Sequence, residues 1–137
     1  MTPSELSDPA ADAGPSEAAP AVSHVVLEVM RKRADFLKAA KGPKRGTGSF
    51  LLQARDRDDD SAVARVGFTA SKKIGNAVAR NRAKRRMRAL AREVLAPVAR
   101  PGWDYVLVAR PGATVERPWD QLKADLSLAL SQLHRPK

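Results

Sequence analysis

Within nine positions the chain places Arg80, Asn81, Arg82, Lys84, Arg85 and Arg88, spaced R-N-R-x-K-R-x-x-R. A guanidinium offers a planar fork of donors that matches phosphate oxygens, and an asparagine among such forks can bond either a phosphate or a base edge. The surroundings sharpen this chemistry. From Lys72 to Arg92, 21 positions hold nine Lys or Arg and no carboxylate. With no Glu or Asp interleaved to form i, i+4 pairs, repulsion along the segment is uncompensated from within, so a polyanion outside the chain is the expected partner.

Side-chain catalysis is poorly provided for. The histidines are His24 and His134, at the two ends of the chain, and neither has neighbours that would make a nucleophile and base pair. There are no cysteines, which excludes disulfides, thiolate zinc sites and cysteine nucleophiles and suits a reducing cytoplasm. Carboxylates cluster only at Asp56, Asp58, Asp59 and Asp60, where a solvated hairpin turn is expected and not a metal site, because a calcium loop needs spaced ligands and a Gly bend. The phosphate-binding glycine loops, the nucleophile elbow and the H-E-x-x-H zinc motif are all missing from the 137 residues. No catalytic and no metal-binding residue is therefore assigned.

The elements that must position the basic segment follow from periodicity. Ala77 to Val98 reads as one amphipathic helix, with Ala83, Met87, Leu90 and Val94 in a stripe and Asn81, Arg85, Arg88 and Arg92 opposite. At its start "SKKIGNA" brings Lys72 and Lys73, then a glycine bend, to a helix N-terminus, a favourable place for an anion. Upstream, Arg33 to Ala40 reads as a short helix ending at Gly42 and Pro43. "GSFLLQARDRDDDSAVARVGFTAS" reads as two strands around a polar turn. Phe50, Leu52 and Ala54, with Val66, Phe68 and Ala70, go to a core; Gln53, Arg55, Arg65 and Thr69 mark a second face, polar but not acidic. "WDYVLVAR" is a third strand, apolar enough for burial on both faces. From Pro118 a last helix carries Trp119, Leu122, Leu126, Leu130 and Leu133 at helical spacing. The order α-β-β-α-β-α makes an α+β protein, helices against one sheet.

Residues 1–24 carry four acids and no Lys or Arg, and are rich in Pro and Ala. Such a segment is expected to be a disordered acidic tail, with residues 25–137 as one domain. It lacks the basic and apolar regions of a secretory signal, and nowhere do 18 apolar residues run together, so no membrane span is expected. The net charge is +10; with −4 on the tail, the other 113 residues carry +14, concentrated and not scattered. What precedes the basic helix is a strand, whereas a helix that reads duplex DNA is normally set against an upstream partner helix; a polar sheet face, an aromatic and a basic helix suit folded or single-stranded RNA. A ribosomal or chaperone-like RNA binder and a DNA-binding regulator remain alternatives on these grounds.

"RVGFTASKKIGNAVARNRAKRRMR" (residues 65–88) resembles the signature of the bacterial ribonuclease P protein subunit, and the likeness extends to "MRKRADF", "WDYVLVARPGA" and the Leu-rich last helix, roughly residues 30–133. The resemblance implies a two-layer α/β sandwich of the order above, of a type shared with a ribosomal protein domain, with a left-handed βαβ crossover through the basic helix against the general right-handed rule. It implies a cytoplasmic RNA-binding subunit of a ribonucleoprotein endonuclease whose RNA, with Mg²⁺ held mainly by that RNA, removes the 5′ leader from precursor tRNA. The partners implied are ribonuclease P RNA and precursor tRNA, with no membrane and no small-molecule substrate. Carried over by position, Lys72, Lys73, Arg80, Asn81, Arg82, Lys84, Arg85, Arg88 and Arg92 would bind the RNA subunit. A leader cleft would be formed by Phe36, Leu51, Gln53, Arg65, Thr69 and Arg80, with Lys72 at its edge. Ala40 and Gln53 stand where the family often has aromatics, which implies fewer stacking platforms for bases.

Overall fold

The computed structural model describes residues 26–134; the acidic segment 1–24 and His24 lie outside the described residues. The elements run β1 (Val26–Val29), α1 (Arg33–Ala40), β2 (Lys44–Gly46), β3 (Phe50–Asp56), β4 (Val63–Thr69), α2 (Ala77–Leu90), β5 (Trp103–Ala109), α3 (Ala113–Glu116) and α4 (Trp119–Leu133). The fold is α+β, a single five-stranded sheet in the order β1-β4-β5-β3-β2 with helices on both faces.

Alternation along the strands decides what each face holds. Phe50, Leu52 and Ala54 on β3, Ala64 and Val66 on β4, and Tyr105 and Leu107 on β5 are buried against Met87 and Leu90 of α2 and Leu122, Leu126 and Leu130 of α4. This is the main core, and the stripe on α2 enters it as its spacing predicts. Among the described residues the opposite face is covered by Phe36 and Ala39 of α1 and by Met30 just before it, against Val106 and Val108. One eight-residue helix cannot roof a five-stranded sheet, so the described residues leave much of that face uncovered.

The hairpin expected around the Asp-rich turn is corrected. β3 and β4 do not pair; β5 lies between them, antiparallel to β3 and parallel to β4. β5 is apolar on both sides and takes the central place where both of its faces are covered. The connection bridges the end of the inserted strand through Arg57, whose guanidinium donates to Trp103 O (3.1 Å), Asp104 Oδ1 (2.6 Å) and Val63 O (2.6 Å). The aspartates shape this connection. Asp56 Oδ1 and Asp59 Oδ1 accept from the amides of Asp58 and Ser61, and Asp58 and Asp60 sit at φ 53° and 56°, a region short polar side chains tolerate.

Two strands escaped the sequence reading. β1 is four residues long and β2 three, "KRG", exposed throughout, so neither displays an alternating apolar pattern. The basic helix also differs from the continuous Ala77–Val98 span. After Leu90 a wider turn covers Ala91–Leu95, with Ala96 N donating to Ala91 O at 2.8 Å. The added residue per turn rotates the apolar stripe, so that Ala91 and Leu95 both reach the core after Leu90. Among the described residues no helix is long and apolar enough to cross a membrane.

Candidate nucleic-acid interface

Asn76 caps α2 by accepting from Ala79 N at 3.0 Å, and Ser71 caps the preceding turn of Lys72–Ile74. Between the caps Gly75 sits at φ 138°, which only glycine adopts without strain, so Lys72 and Lys73 are swung to the mouth of the helix. Lys72, Lys73, Asn81, Arg82, Arg85, Arg88 and Arg92 are all exposed; Arg80 and Lys84 are half-buried. Among the described residues none of these cations makes an ion pair, and the lone acid of the region, Glu93, is engaged by Lys123 at 3.4 Å. Among the described residues the outward side of α2 is thus a ridge of positive charge without acidic partners, which a polyanion would balance.

Arg86 breaks the pattern and was not singled out from the sequence. It turns inward, donating to the carbonyls of Thr114 (3.1 Å), Val115 (2.6 Å) and Arg117 (2.7 Å), with its guanidinium 5.9 Å from the Trp119 ring centre. Burial, and then the like charge of Arg82, lower its pKa from the ordinary value. It closes the end of α3 and holds it against α2.

On the sheet's second face, side chains stand in rows across the strands. Thr69, Val108 and Leu51 form one row; Gly67, Val106, Gln53 and Lys44 form the next. Phe36 of α1 lies over Gly67, where a Cβ would stand 2.5 Å from the ring, so the glycine is what lets the helix approach. Beside it runs an open groove of about 580 Å³. Of the predicted cleft residues Phe36, Gln53 and Thr69 line it, and Lys84, assigned to the RNA-subunit set, joins them from α2. Leu51 shares the Thr69 row without lining the groove, and Arg80 sits in the first turn of α2, its buried Nε without a partner among the described residues. Sequence periodicity missed Arg31, Arg33 and Val108, which also line the groove; the two arginines precede or open a helix whose pattern said nothing about what it covers.

Arg65 lies outside the groove lining, in a third row of alternating charge, Glu28, Arg65, Asp104 and Arg55, which corrects the expectation of a second face free of acid. Asp104 is fully buried and accepts from Arg65 Nε and Nη2, both at 2.8 Å, and from Arg57; Arg65 also reaches Asp35 of α1 at 3.2 Å. Burial by itself would raise the Asp104 carboxyl; the guanidiniums of Arg65 and Arg57 outweigh it and hold the pKa below the ordinary carboxylate value. The same bond to Asp104 pushes Arg65 up. Arg65 is committed to tying α1 to the sheet because its register partner is an aspartate, a pairing visible only once β5 is known to sit beside β4.

A family-level sequence model described as Ribonuclease P matches residues 27–134. The ribonuclease P protein component of Ruegeria pomeroyi is 60% identical over 112 residues, covering 81% of this chain and 90% of the relative. The chain belongs to the ribonuclease P protein family. Members of it act in tRNA 5′ processing together with an RNA subunit, so the chain is a component of an endoribonuclease that works as a ribonucleoprotein. Two solved structures share the fold at lower identity. The Staphylococcus aureus RNase P protein superposes with a TM-score of 0.64 at 26% identity, covering 77% of this chain and 94% of that one. The Thermotoga maritima RNase P protein gives a TM-score of 0.62 at 28% identity, covering 80% and 98%. Among the described residues no three His, Asp or Glu side chains converge in a group that could hold a metal ion.

Proposed function

We propose that the outward side of α2 docks on ribonuclease P RNA through its phosphates and that the groove between α1 and the sheet seats the single-stranded 5′ leader of precursor tRNA. The bond-breaking chemistry then belongs to the RNA, which holds the Mg²⁺, and the protein contributes positioning and charge. The observation that carries this reading is the continuity of the two surfaces. Lys84 belongs to the basic helix and also lines the groove, so one RNA on the helix and one strand in the groove would meet there. Phe36 offers the groove an apolar ring on which a base can stack, worth about 1–3 kcal/mol per base. With Ala40 and Gln53 in the groove in place of further aromatics, its remaining hold comes from Arg31, Arg33 and Lys84.

The test is the salt dependence of binding. Replacing Arg85 and Arg88 together by Gln should weaken affinity for ribonuclease P RNA and flatten the slope of log K against log salt by about one unit per lost phosphate contact. An unchanged slope would remove the docking face. Cleavage of precursor tRNA by the RNA at low Mg²⁺, measured with and without the protein, checks the assisting role, and lack of any stimulation would overturn it.

A further inference from the structure

The arginine ridge of α2 ends beside the point where the N-terminal segment joins the sheet. β1 is the outer strand on that side of the sheet, and its Leu27 and Val29 border a hollow of about 190 Å³ whose other walls are Val66, Phe68 and Ala91 and whose rim is Arg88 and Arg92. The described chain begins at Val26, one residue before Leu27 in the wall of this hollow. The stretch preceding it has two parts. Nearest the strand lies "AAPAV" (residues 18–22), small and apolar; farther out come Glu17, Asp12, Asp8 and Glu5, with no Lys or Arg among residues 1–24.

We propose that the N-terminal segment occupies this site, its Ala-Pro-Val stretch against the hollow and its carboxylates against Arg85, Arg88 and Arg92, as an intramolecular stand-in for RNA phosphate. Reach permits it. Glu17 is nine residues from Val26, a span of about 30 Å when extended, while Arg85 to Arg92 covers about 10 Å of helix. Charge favours it, because the segment carries −4 and the three arginines have no acidic partner among the described residues. Tethering raises the local concentration of carboxylate far above that of any loose anion. The consequence is selectivity. A weak or non-cognate RNA must displace the segment, whereas the full phosphate array of the cognate RNA does so readily. That consequence rests on the docking face proposed above; the contact itself does not.

The experiment uses the full-length protein and a variant with Glu5→Gln, Asp8→Asn, Asp12→Asn and Glu17→Gln. In the absence of RNA, the backbone amide resonances of Arg85 to Arg92 and of Leu27 to Val29 are expected to differ between the two proteins at low salt and to converge at high salt. Oligouridylate is expected to bind the variant roughly 3–10-fold more tightly at low salt, a gain that disappears when Arg85, Arg88 and Arg92 are also changed to Gln. Unchanged amides on α2, or changes confined to Lys44 and Arg45 at the other edge of the sheet, would overturn the proposal, as would a gain in binding without any change on α2. Since the resonances are recorded without RNA, their result is independent of whether the helix docks on ribonuclease P RNA.

Discussion

Single residues in this protein separate into those that hold the fold and those left exposed without an acidic partner among the described residues, and the division does not follow residue type. Arg57, Arg65 and Arg86 all spend their donors internally, on Asp104 and on backbone carbonyls. Arg85, Arg88 and Arg92 are exposed with no ion pair among the described residues. Asp104 is the clearest case of the first kind. Replacing it by Asn removes the buried counter-charge shared by two largely shielded guanidiniums, Arg57 at 9% and Arg65 at 25% side-chain exposure, and leaves them only the more exposed Asp59 and Asp35. A loss of about 3–5 kcal/mol in stability is expected from denaturant unfolding. A value close to zero would mean that these arginines are not held by Asp104.

At the scale of elements, α2 does two jobs with its two sides. Arg86→Gln should lower the unfolding midpoint, at a cost of about 1.5–3 kcal/mol for the charged hydrogen bonds to the α3 carbonyls, while leaving the salt slope of RNA binding unchanged. Arg85, one residue away, should show the reverse under the same two measurements. This opposition was not legible in the sequence. Both residues sit in a run of basic positions, and a helical wheel places Arg86 only at the flank of the apolar stripe; that carbonyls of α3 wait there depends on how the chain returns after β5. The groove carries a similar dependence on packing. Gly67 reads as an interruption of a strand, and its purpose is evident only with the Phe36 ring above it.

Across the whole molecule, stability depends on pH through the end of the chain. His134 packs edge-on to Trp103, with ring centres 4.7 Å apart, and shares a 2.8 Å hydrogen bond with Tyr105. Burial, and then the charge of Arg100, push its pKa down to about 4. A histidine whose pKa is depressed on folding favours the fold while neutral, so its contribution is present above the unfolded value of about 6.5 and is lost as pH falls toward 4. Thermal midpoints are expected to fall between pH 7 and that region, and His134→Gln to flatten the fall. Asp104, held below the ordinary carboxylate range, contributes stability above that range and loses it only as pH falls further.

The sequence by itself determined the polyanion partner, the two amphipathic helices α2 and α4, the alternation that sorts β3 and β4 into core and second face, and the family. These are local properties: charge density, a period of two or of 3.6, a motif within a short window. Only the tertiary structure decided that β5 enters between β3 and β4, that Asp104 therefore stands beside Arg65, that Arg86 points inward, and that Lys84 meets the groove. Each of these joins residues far apart in the chain, and periodicity carries no information on which strand lies next to which. Strand order settles where a side chain finds its counter-charge, and through that which arginines are left without one among the described residues.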